Sequence, residues 1–302
     1  MGIWFNWEVG ITRKESNLMY KIIKNKVLAP MITKLEVKAP EVAAKAKPGH
    51  FLIVRVDEQA ERIPLTIADY NRDKGTITII IQEVGFSSRQ ICNLDKGDAF
   101  LDLVGPLGEP IETKDYDKVV CIGGGLGNAP LYPKAKSLKE HGAEVVSILG
   151  AQTAAKLILE EEFNEVSDKL YIATDDGSKG KEGFVTDILE ELLEAGEEFE
   201  LAIAIGPMIM MKAVSELTAK YDLETMVSLN SLMIDGTGMC GGCRVTVAGE
   251  TKFACVDGPA FDGHLVDFDE QLRRQQFYKE HEAKVKQQSE HAGGEHQCHK
   301  KK

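Results

Sequence analysis

Three of the chain's six cysteines, Cys240, Cys243 and Cys255, lie in the run SLMIDGTGMCGGCRVTVAGETKFACVDGP, residues 231–259. Two residues between Cys240 and Cys243 let both sulfurs turn toward one metal centre, and Gly241 and Gly242 keep bulk away from it. Plant-type [2Fe–2S] loops run C-x4-C-x2-C with a distant fourth cysteine. Counting back from Cys240 by that rule reaches Asp235, so the run reads D-x4-C-x2-C-x11-C. A carboxylate is anionic and binds iron, so Asp235, Cys240, Cys243 and Cys255 keep the ligand charge of a four-thiolate set. Gly236 and Gly238 suit a loop that wraps a cluster with its amides turned toward sulfur. A structural zinc held by three cysteines and an aspartate is the competing reading, and Cys298, in the polar tail, is an alternative fourth donor.

Other stretches carry recognisable chemistry. Gly123, Gly124, Gly125 and Gly127, in KVVCIGGGLG, stand where an apolar strand hands over to a helix. There the backbone can approach a pyrophosphate, and the helix start offers free amides. The spacing is not G-x-G-x-x-G, and a tight packing turn uses the same residues. In ERIPLTIAD, Arg62 can clamp a diphosphate, while Pro64 stiffens the strand so that Leu65 and Thr66 lie along a ring system. Gly85, Ser87 and Ser88 open a short helix whose amides suit the second half of that diphosphate, or simply cap the helix. Asp175, in ATDDGSKGKEG, follows a strand of parallel type and borders the ligand edge expected of such a sheet. Cys92 and Cys121 read as packing residues, Met208, Met210 and Met211 as gap fillers, and His296, Cys298 and His299 as part of a solvated tail.

The elements that must position these residues fall into two patterns. From Met19 to about Thr113, ITKLEVKAP, HFLIVRV and GTITIIIQEV alternate with period two between Pro and Gly turns, which predicts a small antiparallel β-barrel. From 114 to 222 strands and helices alternate, which predicts an α/β doubly wound parallel sheet. One of the predicted helices spans TAAKLILEEEFNEV. Residues 223–268 form the cysteine-rich segment, 269–302 a helix and polar tail, and 1–18 an N-terminal extension. The fold class is therefore multi-domain. A length of 302 residues, 43% hydrophobic and 28% charged, fits a folded chain of this kind. A net charge of −12 argues against nucleic acid as a partner, and no apolar run approaches a membrane span. The cysteine usage suits metal chemistry in a reducing cytoplasm.

Taken in order, R-x-P-x-T, a Gly-Ser helix start, GGGLG, IGP-x-x-M and an iron–sulfur loop resemble the ferredoxin–NADP reductase superfamily. The branch most similar contains the dihydroorotate dehydrogenase electron-transfer subunit and the small subunit of NADH-dependent ferredoxin:NADP oxidoreductase. DGTGMCGGCRVTV and FACVDGPAFDGHLVDFDE are the most specific pieces of a match running from about Met19 to Arg274. The resemblance implies that Arg62, Pro64, Leu65 and Thr66 line FAD, with Thr66 near the reactive N5 edge, and that Gly85, Ser87 and Ser88 hold its diphosphate. It implies that Gly123, Gly124, Gly125, Gly127, Asp175, Gly206 and Pro207 frame NAD(H), and that Asp235, Cys240, Cys243 and Cys255 hold [2Fe–2S]. The superfamily usually has an aromatic residue in place of Leu65 and often a cysteine in place of Ile205. The carboxylate at 235 separates the chain from four-cysteine relatives and points to the bifurcating branch.

The same resemblance implies an electron-transfer flavoprotein subunit with no acid–base residue assigned. Hydride is exchanged between NAD(H) and FAD, and single electrons pass to or from the cluster. The implied partner is a larger subunit with a second flavin and [4Fe–4S] clusters, through which ferredoxin and NADP are reached. A sulfide, polysulfide or dihydroorotate dehydrogenase subunit is an alternative, and a nucleotide-binding module with structural zinc a remoter one.

Overall fold

A computed structural model describes residues 20–111 and 115–276. The extension 1–18 and the tail beyond Gln276, including Cys298, lie outside these residues.

The first half is a barrel built from two antiparallel sheets. Strands β1 (Ile22–Ala29) and β2 (Ile32–Lys38) are followed by helix α1 (Pro40–Lys45), β3 (Phe51–Arg55), β4 (Ile63–Thr66), β5 (Asp69–Asn71), β6 (Thr76–Gln82), helix α2 (Phe86–Cys92) and β7 (Asp102–Leu107). One sheet has the order β1-β2-β6-β5 and the other β4-β3-β7. Alternation sorts the side chains: Leu52 and Val54 of β3 join Leu35, Val37, Ile77 and Ile79 inside the barrel, while Phe51 and Ile53 point out of it.

The second half is a seven-stranded sheet. It contains β8 (Lys118–Gly124), α3 (Asn128–Glu140), β9 (Glu144–Ala151), α4 (Glu160–Val166), β10 (Lys169–Thr174), β11 (Lys181–Glu182), α5 (Val185–Glu194), β12 (Leu201–Ile205), α6 (Met208–Ala219) and β13 (Thr225–Ser228). The cysteine-bearing segment follows with β14 (Arg244–Val247), β15 (Glu250–Phe253), β16 (Ala260–Asp262) and α7 (Phe268–Gln276). The large sheet runs β11-β10-β9-β8-β12-β13-β16, parallel except for β16. Its central strands are continuous apolar runs because helices or the barrel cover both faces, and every residue of β12 is buried.

Two boundaries differ from the sequence reading. The helix expected over TAAKLILEEEFNEV is one 3-10 turn, Ala154–Lys156, followed by the shorter α4. Ile158 and Leu159 are drawn into the core against α3, and Leu159 takes a left-handed φ of 62° that ends any continuous helix. Residues 225–228, expected in the cysteine-rich segment, instead supply a parallel strand beside β12, and β16 from that segment forms the sheet's edge.

The barrel rests on the α3 face of the large sheet. Ala29, Ile32, Ala68 and Ile80 share a core with Leu131, Ala135 and Ile203. Lys136 pairs with Asp69 at 3.2 Å and Lys34 with Glu162 at 3.3 Å across this junction. Such half-exposed pairs contribute about 0–1 kcal/mol each, so the apolar contact dominates.

Within that core lies Lys134, 2% exposed, facing the buried thiol of Cys121. No carboxylate of the described residues pairs with it, and burial lowers its pKa to about 7, while burial pushes Cys121 up to about 12. Between pH 7 and 10.5 the folded chain therefore binds fewer protons at this site than the unfolded chain, and stability rises with pH; below 7 the whole cost of a buried ammonium is present. Replacing Lys134 with Met is expected to raise Tm by on the order of 5 °C at pH 6 and by much less at pH 10. Thermal denaturation at the two pH values checks this, and an equal or reversed difference refutes it.

Candidate functional site

The strand order reverses between β8 and β12, which opens a crevice at the carboxyl edge of the sheet. Gly123, Gly124, Gly125 and Gly127 line one side and Gly206 and Pro207 the other, so the structure brings all six together. Most of these glycines are needed for packing. A Cβ on Gly127 would lie 2.1 Å from the Ile205 carbonyl oxygen, and one on Gly124 would lie 2.4 Å from Met210 Sδ. Gly125 differs: its φ is +57° and nothing stands within 4 Å of where its Cβ would be. Gly124 and Gly127 thus serve as a packing turn, while Gly125 leaves open space at the crevice. Met208 and Met211 fill the core, while Met210 closes the crevice floor against Gly124 and Gly206.

Asp175 is exposed at the end of β10, and its N–H donates to Ala151 O at 3.1 Å, which ties it to the end of β9. Beside it, the Asp176 carboxylate accepts the Ser178 N–H at 3.0 Å and the Ser178 hydroxyl, which hold its pKa below the usual range. The start of α5 covers the ends of β8 and β9, since Val185 Cγ1 would stand 2.6 Å from a Cβ on Gly150. Phe184, at that start, is 64% exposed. The sequence placed this acidic loop at the ligand edge of the sheet but gave no signal for Phe184, which belongs to no motif.

On the barrel, β4 pairs with β3 so that Thr66 faces Phe51 and Pro64 faces Ile53. Pro64 and Thr66 thus share the outward face of β3, whereas Leu65 turns inward against the barrel core. Leu65, expected along a ring system, is therefore placed with the barrel core, while its two neighbours face outward. Arg62 is exposed and has no ion-pair partner among the described residues. Glu61, next to it, accepts the Ser87 hydroxyl at 2.5 Å, so the start of β4 and the start of α2 sit together. The Ser88 hydroxyl accepts the N–H groups of Val84 and Gly85, both at 2.9 Å, which fixes the turn into α2. An exposed guanidinium beside a short helix start suits a diphosphate.

The cysteine loop is seated on the barrel's outer face. A Cβ on Gly236 would meet Ile53 Cδ1 at 2.8 Å and Leu107 Cδ1 at 2.9 Å, and Glu109 N donates to Gly258 O at 2.7 Å. Gly236, Gly238 and Gly241 all take left-handed φ values, as a loop coiling about a centre requires. The donors gather in two pairs. Asp235 accepts the Thr237 N–H at 2.9 Å and the Cys240 N–H at 3.0 Å, so carboxylate and outer cysteine lie together, with Cys240 exposed. Cys243 and Cys255 are buried with their sulfurs 3.2 Å apart, too far for a disulfide. Backbone N–H groups reach sulfur from Gly242 to Cys240 at 3.5 Å and from Cys255 to Cys243 at 3.4 Å. Arg274 of α7 braces the loop by donating to Gly242 O at 3.1 Å.

Among the described residues no three His, Cys, Asp or Glu side chains converge on one point that suits a single ion. A tetrahedral zinc needs that convergence, whereas two irons bridged by sulfide need two pairs. Burial, with Cys243 beside it, raises Cys255 to about 12, and binding of a metal to such a thiol releases its proton. The donor set therefore fits a two-iron cluster. Cys92, the last residue of α2, is half-buried close to Ile81 O, and Cys121 is buried in β8, both as packing residues.

Comparison with known proteins fits this geometry. The family model for the iron–sulfur cluster binding domain of dihydroorotate dehydrogenase B matches residues 230–267, and that for an oxidoreductase NAD-binding domain matches residues 121–216. A Thermotoga maritima homologue of the dihydroorotate dehydrogenase B (NAD+) electron-transfer subunit is 45% identical over 262 residues, 87% of this chain and 92% of that protein. An uncharacterised Clostridium beijerinckii protein is 50% identical over 88% of this chain and 93% of its own length. A chain of an NADH-dependent reduced ferredoxin–NADP oxidoreductase, solved to explain flavin-based electron bifurcation, superposes with a TM-score of 0.85 at 43% identity and covers 90% of this chain and 97% of that one.

Replacing Asp235 with Ala is expected to strip most of the bound iron and the visible absorption of the centre. Replacing it with Cys keeps the cluster but shifts its reduction potential. Iron analysis and a redox titration check both, and unchanged values in both variants would move the fourth ligand elsewhere.

Proposed function

The chain belongs to the family of dihydroorotate dehydrogenase B electron-transfer subunits, and from that premise we propose that it is the small subunit of a bifurcating NADH-dependent ferredoxin:NADP oxidoreductase. It works as an oxidoreductase subunit with FAD, a [2Fe–2S] cluster and NAD(H), beside a larger subunit that carries further flavin and iron–sulfur centres. The observation that carries this reading is the position of β3. Pro64 and Thr66 lie on the strand bonded to one edge of β3, with Arg62 directly before it, and the loop of Asp235 and the cysteines packs on Ile53 of β3 and on Leu107 of β7, bonded to its other edge. Neighbouring strands are about 4.8 Å apart, so the two cofactor-bearing segments lie within roughly 10 Å. No helix of the described residues is long and apolar enough to cross a membrane.

The flavin, when bound, supplies the exchange between a hydride pair and single electrons, and the cluster supplies the one-electron store. The residues of the chain bind and orient. Arg62 and the start of α2 hold the flavin diphosphate, and Pro64 and Thr66 set the ring against β3. The crevice glycines admit the dinucleotide between the ends of β8 and β12, with the open Gly125 at the pyrophosphate. Phe184 offers a face for the adenine, and Asp175 and Asp176 form an acidic loop that suits a ribose hydroxyl and repels a 2′-phosphate. Asp235 and Cys240 hold the outer iron and Cys243 and Cys255 the inner one. Leu232, Ile234, Met239 and Val256 ring this loop; Met239 is 89% exposed. A solvent-facing apolar rim beside a redox centre suits a permanent partner, and we assign it to the larger subunit. In the alternative, a dihydroorotate or sulfide dehydrogenase, the small subunit works in the same way, and the partner chain decides between them.

Anaerobic addition of NADH to the oxidised protein is expected to bleach the flavin bands and then the cluster absorption. A colourless protein containing zinc, or a flavin that NADH leaves oxidised, would sink the reading. Replacing Asp176 with Arg is expected to lower the preference for NADH over NADPH by about tenfold, read from initial rates of flavin reduction. Replacing Ile234 and Met239 together with Glu is expected to weaken co-purification of the larger subunit while iron content stays unchanged.

A further inference from the structure

Asn128 is the first residue of α3, directly after the Gly125–Gly127 turn, and it is completely buried. Neither its Nδ2 nor its Oδ1 has a hydrogen-bond partner among the described residues. Buried amides are almost always satisfied, so a carboxamide with both ends unpaired at a ligand-binding turn requires an explanation. Its place is a built one. A Cβ on Gly123 would stand 2.1 Å from Asn128 Oδ1 and 3.0 Å from Leu131 Cδ2, so the absent side chain of Gly123 is what makes room for the carboxamide. A leucine or valine at 128 would meet the apolar surroundings, including Leu131, with no polar atom left over.

The unpaired carboxamide lies next to the part of the crevice with the most conformational freedom. Gly124 is clamped by Met210 and Pro207, whereas Gly125 has a left-handed φ and open space around it. Glycine at this position lets the Gly124–Gly125 peptide turn over without a steric barrier from a side chain. The turn itself is half-buried, with Gly125 the position that has room for movement.

We propose that Asn128 is a positioning residue for the pyridine nucleotide: when the pyrophosphate seats on the turn, the Gly124–Gly125 peptide reorients, and the Asn128 carboxamide takes up the backbone groups that this brings to it. The two unpaired atoms raise the free energy of the arrangement seen here and are satisfied in the seated one, so dinucleotide binding is favoured by what the resting turn leaves unmade. The residue touches no reacting atom and acts through the backbone of the turn. The inference rests on the crevice as the dinucleotide site and adds the device that tightens it.

The test uses the oxidised holoprotein and NAD+, which binds without turnover, with calorimetry as the readout. Asn128→Leu is expected to raise Tm, because two unsatisfied atoms leave the core, and to raise the Kd for NAD+ about tenfold. Asn128→Ala is expected to weaken NAD+ binding to a similar extent whatever its own Tm, which keeps the test open if the leucine packs badly. Stability and affinity moving in opposite directions in Asn128→Leu is the signature that a purely structural residue does not give. A Kd within twofold of the wild type in both variants overturns the proposal, as does a Kd within twofold in Asn128→Ala when Asn128→Leu loses Tm and affinity together. If the wild-type protein itself fails to bind NAD+, the crevice reading falls as well. Wild-type binding with indifferent variants removes only the role of Asn128.

Discussion

Strand β3 works on both of its edges and both of its faces. One edge bonds to β4, which carries Pro64 and Thr66 and follows Arg62, and the other to β7. Its inward residues Leu52 and Val54 belong to the barrel core, and its outward residues Phe51 and Ile53 belong to the core that also holds Cys243, Cys255 and the helices of the large sheet. Period-two alternation makes this double membership possible, because a strand presents a different face at each residue. A one-residue slip in its pairing would exchange the two faces and remove Ile53 from beneath Gly236. The closeness of the cofactor-bearing segments is therefore a matter of register before it is a matter of affinity.

The same economy governs the crevice. Parallel strands bring β8 and β12 side by side, and their ends touch only because glycines stand at 124, 127 and 206. Glycines that let protein pack on protein and a glycine that leaves open space here occupy neighbouring positions. Gly124 and Gly127 seal protein against protein, while Gly125 between them stays open.

Much of this was legible in the chain. The strands of the barrel and of the sheet announce themselves by period and by apolar content, and Asp235, Cys240, Cys243 and Cys255, picked out by spacing, lie in two close pairs. What could not be read has physical causes. The helix expected through Leu157–Leu159 fails because two of its apolar residues are worth more in the core than in a helix, a tertiary override of local propensity. Leu65 could not be assigned a face until its partner on β3 was known. Asn128 and Phe184 carry no motif. Their interest lies in burial without partners and exposure without a polar end, which only coordinates reveal.

The antiparallel strand β16 has a consequence for how such proteins can be assembled and reassembled. It leaves the cysteine-bearing segment and closes the edge of the nucleotide-binding sheet, bonded to β13 through Met226, Val227 and Ser228. An electron carrier attached by a linker can be exchanged between proteins as a cassette. This one has lent a strand to its neighbour, and excising it would uncover a raw edge on that sheet. The redox centre and the nucleotide domain are thus bound to a common inheritance: recombination can move them as a pair, and drift in one is felt as a change of pairing in the other.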